Sequence, residues 1–280
     1  MNNNRFSRQE SFFTKKGQSK IHTSKVCVVG VGGIGSHLIQ QLAYLGVGYI
    51  VIIDEDKLEE SNRNRVIGVK YSDNNGELKV NIAERTIKEI DQEIKVTKIS
   101  KSALSEEALL SILYSDFIFG CVDNDGVRLF LNEVALAYEI PYFDISSEIK
   151  VKEKELGGRI VFINDDNPCL VCLGEIDPNE ARRYLENENA RKDEDAIYGV
   201  SKSKLNGSGP SVVTLNGIIA SIICNEFMLH VTEQRKAFNF LTFYGSNCMI
   251  RKRNDKQNKN CYYCKTIKGQ GEKADLRRYF

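Results

Sequence analysis

Four glycines within six residues carry the clearest chemical signal in this sequence: Gly30, Gly32, Gly33 and Gly35. They follow an apolar, strand-like run and open a segment with helical periodicity, so the backbone can approach a phosphate at the positive end of a helix dipole. Asp54 ends the next apolar run, where a carboxylate commonly receives the two ribose hydroxyls. The pattern predicts a nucleotide site, with a purely structural tight turn as the alternative. These residues alone leave NAD and ATP open.

A second group of polar residues also follows predicted strand ends or starts a predicted helix. Its members are Ser61, Asn62, Arg65, Lys79, Asp123, Asn124 and Arg128. Each alone is typical of a solvated surface. Together they would supply cations for a triphosphate and a carboxylate for Mg²⁺, which an NAD enzyme does not need.

Two Cys-x-x-Cys pairs, Cys169 with Cys172 and Cys261 with Cys264, predict a zinc site. Tetrahedral zinc takes four thiolates in two such pairs. The pairs lie too far apart for a compact zinc finger, so we expect the metal to hold the C-terminal end on a distant loop. Redox thiols are the alternative. The other four cysteines stand in apolar contexts and are predicted to pack in the core: Cys27, Cys121, Cys224 and Cys248.

Apolar strands alternate with amphipathic helices through the first half of the chain. Strands are predicted at residues 26–29, 49–53, 96–99, 117–121 and 142–145, and helices at residues 35–45, 79–90, 126–138 and after Ser105. This order indicates an α/β fold, a Rossmann-like doubly wound and mostly parallel sheet. In the second half, residues 159–163 and 238–244 resemble antiparallel strands flanking an apolar helix near residues 210–229. We expect a mixed C-terminal extension of the sheet there.

Composition excludes several classes of protein. The chain has 280 residues, a formal net charge of +1, 41% hydrophobic and 28% charged residues. These values are ordinary for a globular protein and give no sign of a nucleic-acid partner. We find no signal-peptide pattern and no stretch approaching about 20 apolar residues, so no membrane association is expected. Eight cysteines without a secretion signal suit a reducing compartment, and a cytoplasmic location is expected.

Taken together, the motifs resemble those of the ubiquitin-activating-enzyme superfamily, and in particular its bacterial adenylyltransferases of the ThiF, MoeB and HesA type. The resemblance rests on independent motifs in family order across nearly the whole chain. They are Arg5-Phe-Ser-Arg8-Gln9, the glycine run, residues 54–65 ending in Ser61-Asn62-Arg63-Asn64-Arg65, Lys79, Cys121-Val-Asp123-Asn124 and the two Cys-x-x-Cys pairs.

The resemblance implies one adenylation domain over residues 1–280. It would comprise an N-terminal arm (1–24), a nucleotide-binding half (25–150) and a carrier-binding half (151–280) with a crossover loop at 177–209. The implied activity is ATP-dependent adenylylation of the C-terminal carboxylate of a ubiquitin-like carrier protein, with release of pyrophosphate. Such a step would open a bacterial conjugation or sulfur-transfer pathway. A homodimer, bound Mg²⁺ and structural Zn²⁺ are implied as well.

The resemblance also implies roles for single residues. Asp54 would hold the ribose, and Asn62, Arg65 and Lys79 the phosphates. Asp123 would bind Mg²⁺, with Asn124 in the same cofactor site. Arg8 would reach the triphosphate of the partner subunit. The implied catalytic set is Arg8, Arg65, Lys79 and Asp123.

The sequence departs from the family pattern in two places. Arg63 and Val66 replace a usual leucine and glutamine, while Arg65 is retained, so the core chemistry should survive. The loop at 177–209 contains no cysteine, so a carrier thioester is not expected there. Its serines are the alternative acceptors of an acyl group: Ser201, Ser203 and Ser208.

Three rival functions remain at this stage. One is adenylylation of a peptide or small carboxylate. Another is a non-catalytic partner subunit, which the presence of all four catalytic residues on one chain disfavours. An NAD-dependent dehydrogenase rests on the glycine run alone.

Overall fold

Alternate residues of the central strands point into two separate hydrophobic cores. Val26 and Val28 of the first strand lie in one core, and Cys27 and Val29 lie in the other. Both faces of the sheet are therefore covered, as a parallel sheet requires. The computed structural model describes residues 5–164, 167–177, 181, 185 and 210–280.

Eight strands form one sheet in the order β3-β2-β1-β4-β5-β6-β7-β8. Neighbours from β3 to β5 are parallel, and neighbours from β5 to β8 are antiparallel. The strands are β1 Lys25–Val29, β2 Tyr49–Ile53, β3 Lys95–Ile99, β4 Phe117–Gly120, β5 Tyr142–Lys150, β6 Glu155–Ile163, β7 Phe240–Tyr244 and β8 Met249–Arg253. The predicted fold class, a mostly parallel sheet with a mixed C-terminal extension, is confirmed.

The described helices pack on both faces of this sheet. They are α1 Ser7–Thr23, α2 Gly33–Leu45, α3 Lys79–Ile90, α4 Glu106–Leu113, α5 Asp125–Tyr138, α6 Leu170–Leu173 and α7 Val213–Val231. Ser105 caps α4, its hydroxyl accepting the backbone N–H of Ala108 at 3.3 Å, as the sequence predicted. Short 3₁₀ and π turns follow β8 and form the C-terminal end of the chain.

Three of the labelled elements were not predicted: helix α1, strand β8 and the four-residue helix α6. Helix α1 occupies the expected N-terminal arm, buries Phe13 and Ile21 in the core, and is kinked at Thr14, where φ is 68°. Strand β8 is exposed along its whole length and pairs in antiparallel register with β7. Its strand conformation comes from this pairing, because its sequence, Met-Ile-Arg-Lys-Arg, has no buried face.

Among the described helices, α7 is long and apolar enough to cross a membrane by length and composition alone. The expectation that no stretch reaches that length is therefore wrong for α7. Buried core helices meet the same criteria, and α7 packs against α2, β5 and β6. It also carries a buried carboxylate, Glu226, which accepts a 2.8 Å hydrogen bond from Arg235.

Candidate functional site

A cavity of about 810 Å³ opens at the carboxyl ends of the parallel strands. This is where ligands bind in doubly wound sheets. Most of the residues predicted for the nucleotide site line it: Gly30, Gly32, Gly33, Asp54, Asn62, Arg65, Lys79, Asp123 and Asn124. Arg8 and Gly35 are not among the described lining residues.

The glycine turn joins β1 to α2 by close backbone contact. Gly30 has φ +92°, and a Cβ there would lie 2.6 Å from the carbonyl oxygen of Cys121. A Cβ on Gly35 would lie 1.9 Å from the carbonyl oxygen of Gly30. Gly35 thus serves helix packing, while Gly30, Gly32 and Gly33 border the cavity at the N-terminus of α2.

Asp54, directly after β2, turns its carboxylate toward the glycine turn. Its Oδ2 accepts the backbone N–H of Val31 at 2.5 Å, and its Oδ1 accepts that of Asp56 at 2.8 Å. Burial raises the pKa of Asp54, and the positive charge of Lys79 opposes this rise. The carboxylate is thereby fixed at the cavity edge.

Lys79 lies in the first turn of α3 and is 7% exposed. Its Nζ contacts Oδ2 of Asp56 at 2.7 Å, and its backbone N–H donates to the carbonyl oxygen of Asp56 at 3.1 Å. Asp56 was not predicted as a site residue, although the Asp-x-Asp pattern that it forms with Asp54 after a strand could have indicated it. The ammonium of Lys79 is therefore held at the cavity by an acidic neighbour, Asp56.

Asn62 and Arg65 stand on the loop that follows β2. Asn62 is buried, and its Oδ1 accepts the backbone N–H of Glu59 at 3.2 Å in a reciprocal capping box. Arg65 donates to the carbonyl oxygen of Ser61. The backbone N–H of Ile67 donates to Ser36 of α2 at 3.0 Å, so the loop is tied to the same helix as the glycine turn.

Arg63, one of the two departures from the family motif, anchors this loop from outside the cavity. It donates to the carbonyl oxygens of Asp73 (2.7 Å) and Lys70 (3.3 Å) and pairs with Glu60 at 2.9 Å. Asp73 in turn forms a two-point ion pair with Arg85 of α3, both contacts being 2.7 Å. Hydrogen bonds from Arg85 lower the pKa of Asp73 to about 2. The substitution supplies structural contacts and leaves Arg65 in the cavity.

Asp123 and Asn124 connect β4 to α5. Asp123 is exposed and lines the cavity. Asn124 is the N-cap of α5, its Oδ1 accepting the backbone N–H of Val127 at 2.8 Å. The cap fixes the first turn of α5 next to Asp123.

The prediction that Arg128 supplies a cation for the triphosphate is wrong. Arg128 is 3% exposed and forms a two-point ion pair with the fully buried Asp144 of β5, at 3.0 and 2.7 Å. It also contacts Asp125 at 2.6 Å. Its charge is therefore neutralised inside the fold, which the sequence alone could not reveal because Asp144 lies on a separate element, strand β5.

Several polar residues that line the far side of the cavity were not predicted. Ser146 and Ser147 lie in β5, Ser211 precedes α7, and Asn216 lies in the first turn of α7. Asn216 is 1% exposed, and its amide donates to Ser211 at 3.1 Å. The available signal was an asparagine within an otherwise apolar helix.

The four cysteines of the two Cys-x-x-Cys pairs converge behind α5. Their sulfur atoms all lie within 4.8 Å of one another, with Cys169 to Cys261 at 3.7 Å and Cys172 to Cys264 at 3.5 Å. Tetrahedral zinc with Zn–S bonds of about 2.3 Å requires sulfur separations of about 3.8 Å. Hydrogen bonds from Cys169 and the other thiols lower the pKa of Cys264, while hydrogen bonding and burial raise the pKa of Cys169, and burial raises that of Cys172. The donor set fits zinc.

The remaining cysteines divide into three cases. Cys27 and Cys224 are buried, which confirms core packing. Cys121 is partly buried, packs against the core as predicted and also lines the cavity. Cys248 is exposed in the turn before β8, with φ 52°, so the prediction of core packing is wrong for it. Ser201, Ser203 and Ser208 lie outside the described residues.

Comparison with protein-family profiles identifies the family of this chain. The profile of the ThiF family matches residues 6–265. The chain belongs to the ThiF family. The family resemblance read from the motifs is thereby confirmed.

Curated relatives of this ThiF-family chain include activating enzymes. The SAMP-activating enzyme E1 of Haloferax volcanii is 30% identical over 158 residues, 56% of each chain. Ubiquitin-like modifier-activating enzyme 5 of Drosophila virilis is 26% identical over 261 residues, 88% of this chain and 60% of the relative. Adenylyltransferase and sulfurtransferase UBA4 of Yarrowia lipolytica is 30% identical over 59% of this chain and 40% of its own. The ThiF-family chain thus spans between 40% and 60% of these relatives.

Solved structures share the fold. The Escherichia coli enzyme MccB with ATP superposes with a TM-score of 0.72 and 19% identity, over 94% of this chain and 75% of MccB. The microcin C7 biosynthetic enzyme MccB in complex with N-formylated MccA gives 0.75 and 18%, with the same coverage. At this identity the likeness supports the fold of the ThiF-family chain and nothing finer.

Asp73 provides a test of the anchored loop. We expect Asp73→Asn to lower the free energy of unfolding by about 1.5 kcal/mol near neutral pH, because a two-point charged contact is lost. The folded-state pKa of Asp73 lies below its usual value of 3.8. The contribution is therefore fully present above pH 4 and is lost as the pH falls toward 2. Urea unfolding of wild type and variant across this pH range measures the difference in free energy of unfolding.

Glu89→Gln, in the exposed ion pair with Lys70, is the matched control and should change the free energy of unfolding little. A pH-independent difference between the Asp73 variant and wild type would contradict the assignment.

The cysteine cluster is tested by metal content. Cys264→Ser should lose bound zinc and lower the melting temperature together, because a closed tetrahedral site stabilises the folded state. Cys248→Ser, at the exposed cysteine outside the cluster, is the control and should retain both. Elemental analysis with thermal unfolding makes the comparison. Wild-type protein without zinc, purified without chelators, would reject the site.

Proposed function

We propose that this chain is an adenylyltransferase that joins a carboxylate to the α-phosphate of ATP and releases pyrophosphate. The observation that carries the proposal is one cavity bordered by the glycine turn, Asp54, Arg65, Lys79 and Asp123. An NAD site would have no use for the cations and the second carboxylate in this set. Membership of the ThiF family supports the same reaction class.

Each residue has a part that follows from its position. The glycine turn would hold phosphates at the N-terminus of α2, and Asp54 would accept the ribose hydroxyls. Arg65 and Lys79 would neutralise the charge that repels an incoming carboxylate. A new bond forms from the carboxylate oxygen to the α-phosphorus while the bond to the β-phosphate oxygen breaks. No general base is needed, since the carboxylate is already ionised, so catalysis is positioning and charge neutralisation.

Asp123 fits a magnesium ligand. Mg²⁺ is usually held by one or two carboxylates together with substrate phosphates. Asp123 supplies an exposed carboxylate at the end of β4, on the cavity surface shared with the glycine turn. Bound Mg²⁺ would supply charge neutralisation on the departing phosphates. The zinc cluster, by contrast, lies behind α5 and would act structurally.

For the substrate we propose the C-terminal carboxylate of a ubiquitin-like protein. The names of the curated relatives support this choice, namely a SAMP-activating enzyme and a ubiquitin-like modifier-activating enzyme. A peptide carboxylate is the second candidate, favoured by the fold shared with MccB, which was solved with the peptide MccA. We further propose a homodimer in which Arg8, exposed on α1, serves the cavity of the partner subunit.

The chemical proposal predicts that Asp123→Ala lowers ATP-pyrophosphate exchange at least about 100-fold without a change in melting temperature, because an exposed charge is removed from the transition state. Exchange would be measured with a panel of purified ubiquitin-like proteins ending in glycine, and with short peptides for the alternative. Glu153→Ala, at the exposed tip between β5 and β6, is the control. Near-normal exchange in the Asp123 variant would remove Asp123 from the site.

The dimer proposal predicts complementation. Arg8→Ala and Lys79→Ala should each be inactive, and their mixture should regain activity, because each mixed dimer keeps one complete site. Subunit exchange is verified separately with two affinity tags. Confirmed mixed dimers without recovered exchange activity would reject a contribution of Arg8 in trans.

A further inference from the structure

A buried charge cluster lies under the first turn of α5. Arg128 is flanked by Asp144 of β5 and Asp125 of α5, and the hydroxyl of Tyr142 donates to Asp144 at 2.9 Å. Asp144 and Tyr142 are fully buried. Gly120 leaves room for this cluster, because a Cβ there would lie 2.6 Å from the Tyr142 hydroxyl. The cluster therefore ties α5 to the sheet through charged hydrogen bonds.

The two carboxylate oxygens of Asp125 have different partners. Oδ2 accepts the backbone N–H of Asp177 at 2.7 Å, while Oδ1 contacts Arg128 at 2.6 Å. One carboxylate thus bridges the sheet-anchored guanidinium and a separate piece of backbone. Both contacts have the short lengths of charge-assisted hydrogen bonds.

Asp177 ends the knuckle loop, which we define as residues 169–177 and which begins at the metal ligand Cys169. The loop start is also attached to α5, since the backbone N–H of Leu170 donates to Asn132 at 3.0 Å. Glu175 pairs with Arg159 of β6 at 2.9 Å. Helix α5 therefore holds the knuckle loop at both ends, through Asn132 and Asp125.

Asp125 is the first residue of α5 and comes two residues after Asp123. The intervening Asn124 is the helix cap and lines the cavity. Any shift of the first turn of α5 would move Asp123 directly. Mg²⁺ requires near-ideal octahedral geometry, so its binding is sensitive to a small displacement of a carboxylate.

We propose that Asp125 is a positioning residue for magnesium: by bridging Arg128 and the backbone of Asp177, it fixes Asp123 where Mg²⁺ bound to ATP can meet it. This inference rests on the proposed function. Asp125 touches neither metal nor nucleotide. Arg128 keeps its two-point contact with Asp144 when Asp125 is replaced, so the fold should persist. The first turn of α5 would lose its hydrogen bonds to Arg128 and to the backbone of Asp177.

The test is a magnesium titration of ATP binding to the full chain, followed calorimetrically. For Asp125→Ala we expect the Mg²⁺ concentration giving half-maximal ATP binding to rise about tenfold, as for a lost ligand-supporting contact. ATP affinity in EDTA should change less than twofold. Asp125→Asn, which keeps the side-chain shape but lacks the charge, should lie between wild type and Asp125→Ala.

Glu106→Ala is the matched control, since it removes an acidic residue from the first turn of α4 and should leave the Mg²⁺ requirement unchanged. A merely structural role for Asp125 would weaken ATP binding equally with and without Mg²⁺, and that result would overturn the inference. An unchanged Mg²⁺ requirement in both Asp125 variants would overturn it as well. Wild-type protein that binds no ATP with Mg²⁺ would instead overturn the proposed function, and the inference with it.

Discussion

The cavity depends on one constraint, namely the close approach of α2 to the glycine turn that follows β1. A Cβ at Gly35 would lie 1.9 Å from the Gly30 carbonyl oxygen, so the helix can dock with its N-terminus against the strand ends only if this position has no side chain. The docked helix then presents its free backbone N–H groups to the cavity. Asp54 is aligned by the same turn, because it accepts the N–H of Val31.

Charge in the cavity is not balanced by the protein alone. The described lining contains more carboxylates than cations, with Asp54, Glu55, Asp56, Glu59 and Asp123 facing Lys57, Arg65 and Lys79. A bare triphosphate would meet repulsion there, and one of the cations, Lys79, is already paired with Asp56. A triphosphate carrying Mg²⁺ would reduce this repulsion, and under the proposed function Asp123 would serve as a ligand instead of a like charge. The acidic lining is thus consistent with a metal–nucleotide complex as the bound species.

Sequence patterns predicted elements with a clear hydrophobic periodicity well and elements without one poorly. The strand Tyr49–Ile53 and the helix Lys79–Ile90 were predicted with the bounds that the structure has, since burial leaves a clear periodicity. Helix α1 and strand β8 were missed because their conformation depends on tertiary partners. Arg128 was misassigned for a related reason. The sequence pattern around a cation after a strand end is the same whether the side chain contacts a phosphate or a buried aspartate. The glycine turn, Asp54 and Lys79 were found because local motifs place them at strand ends or helix starts. In doubly wound sheets, ligands bind at the carboxyl ends of the strands.

Helix α5 joins the two parts of the molecule that the sequence showed only as separate motifs. Asp123 and Asn124 directly precede its first turn. Further along the helix, Asn132 accepts a hydrogen bond from the knuckle loop, and Glu133 forms an ion pair with Arg278 near the C-terminus. The two halves of the cysteine cluster come from residues 92 positions apart, so a metal bound there would close a long loop. Closing a long loop removes more entropy from the unfolded chain than closing a short one. Such a metal would therefore stabilise the helix that follows Asp123, although the cysteine cluster lies outside the cavity.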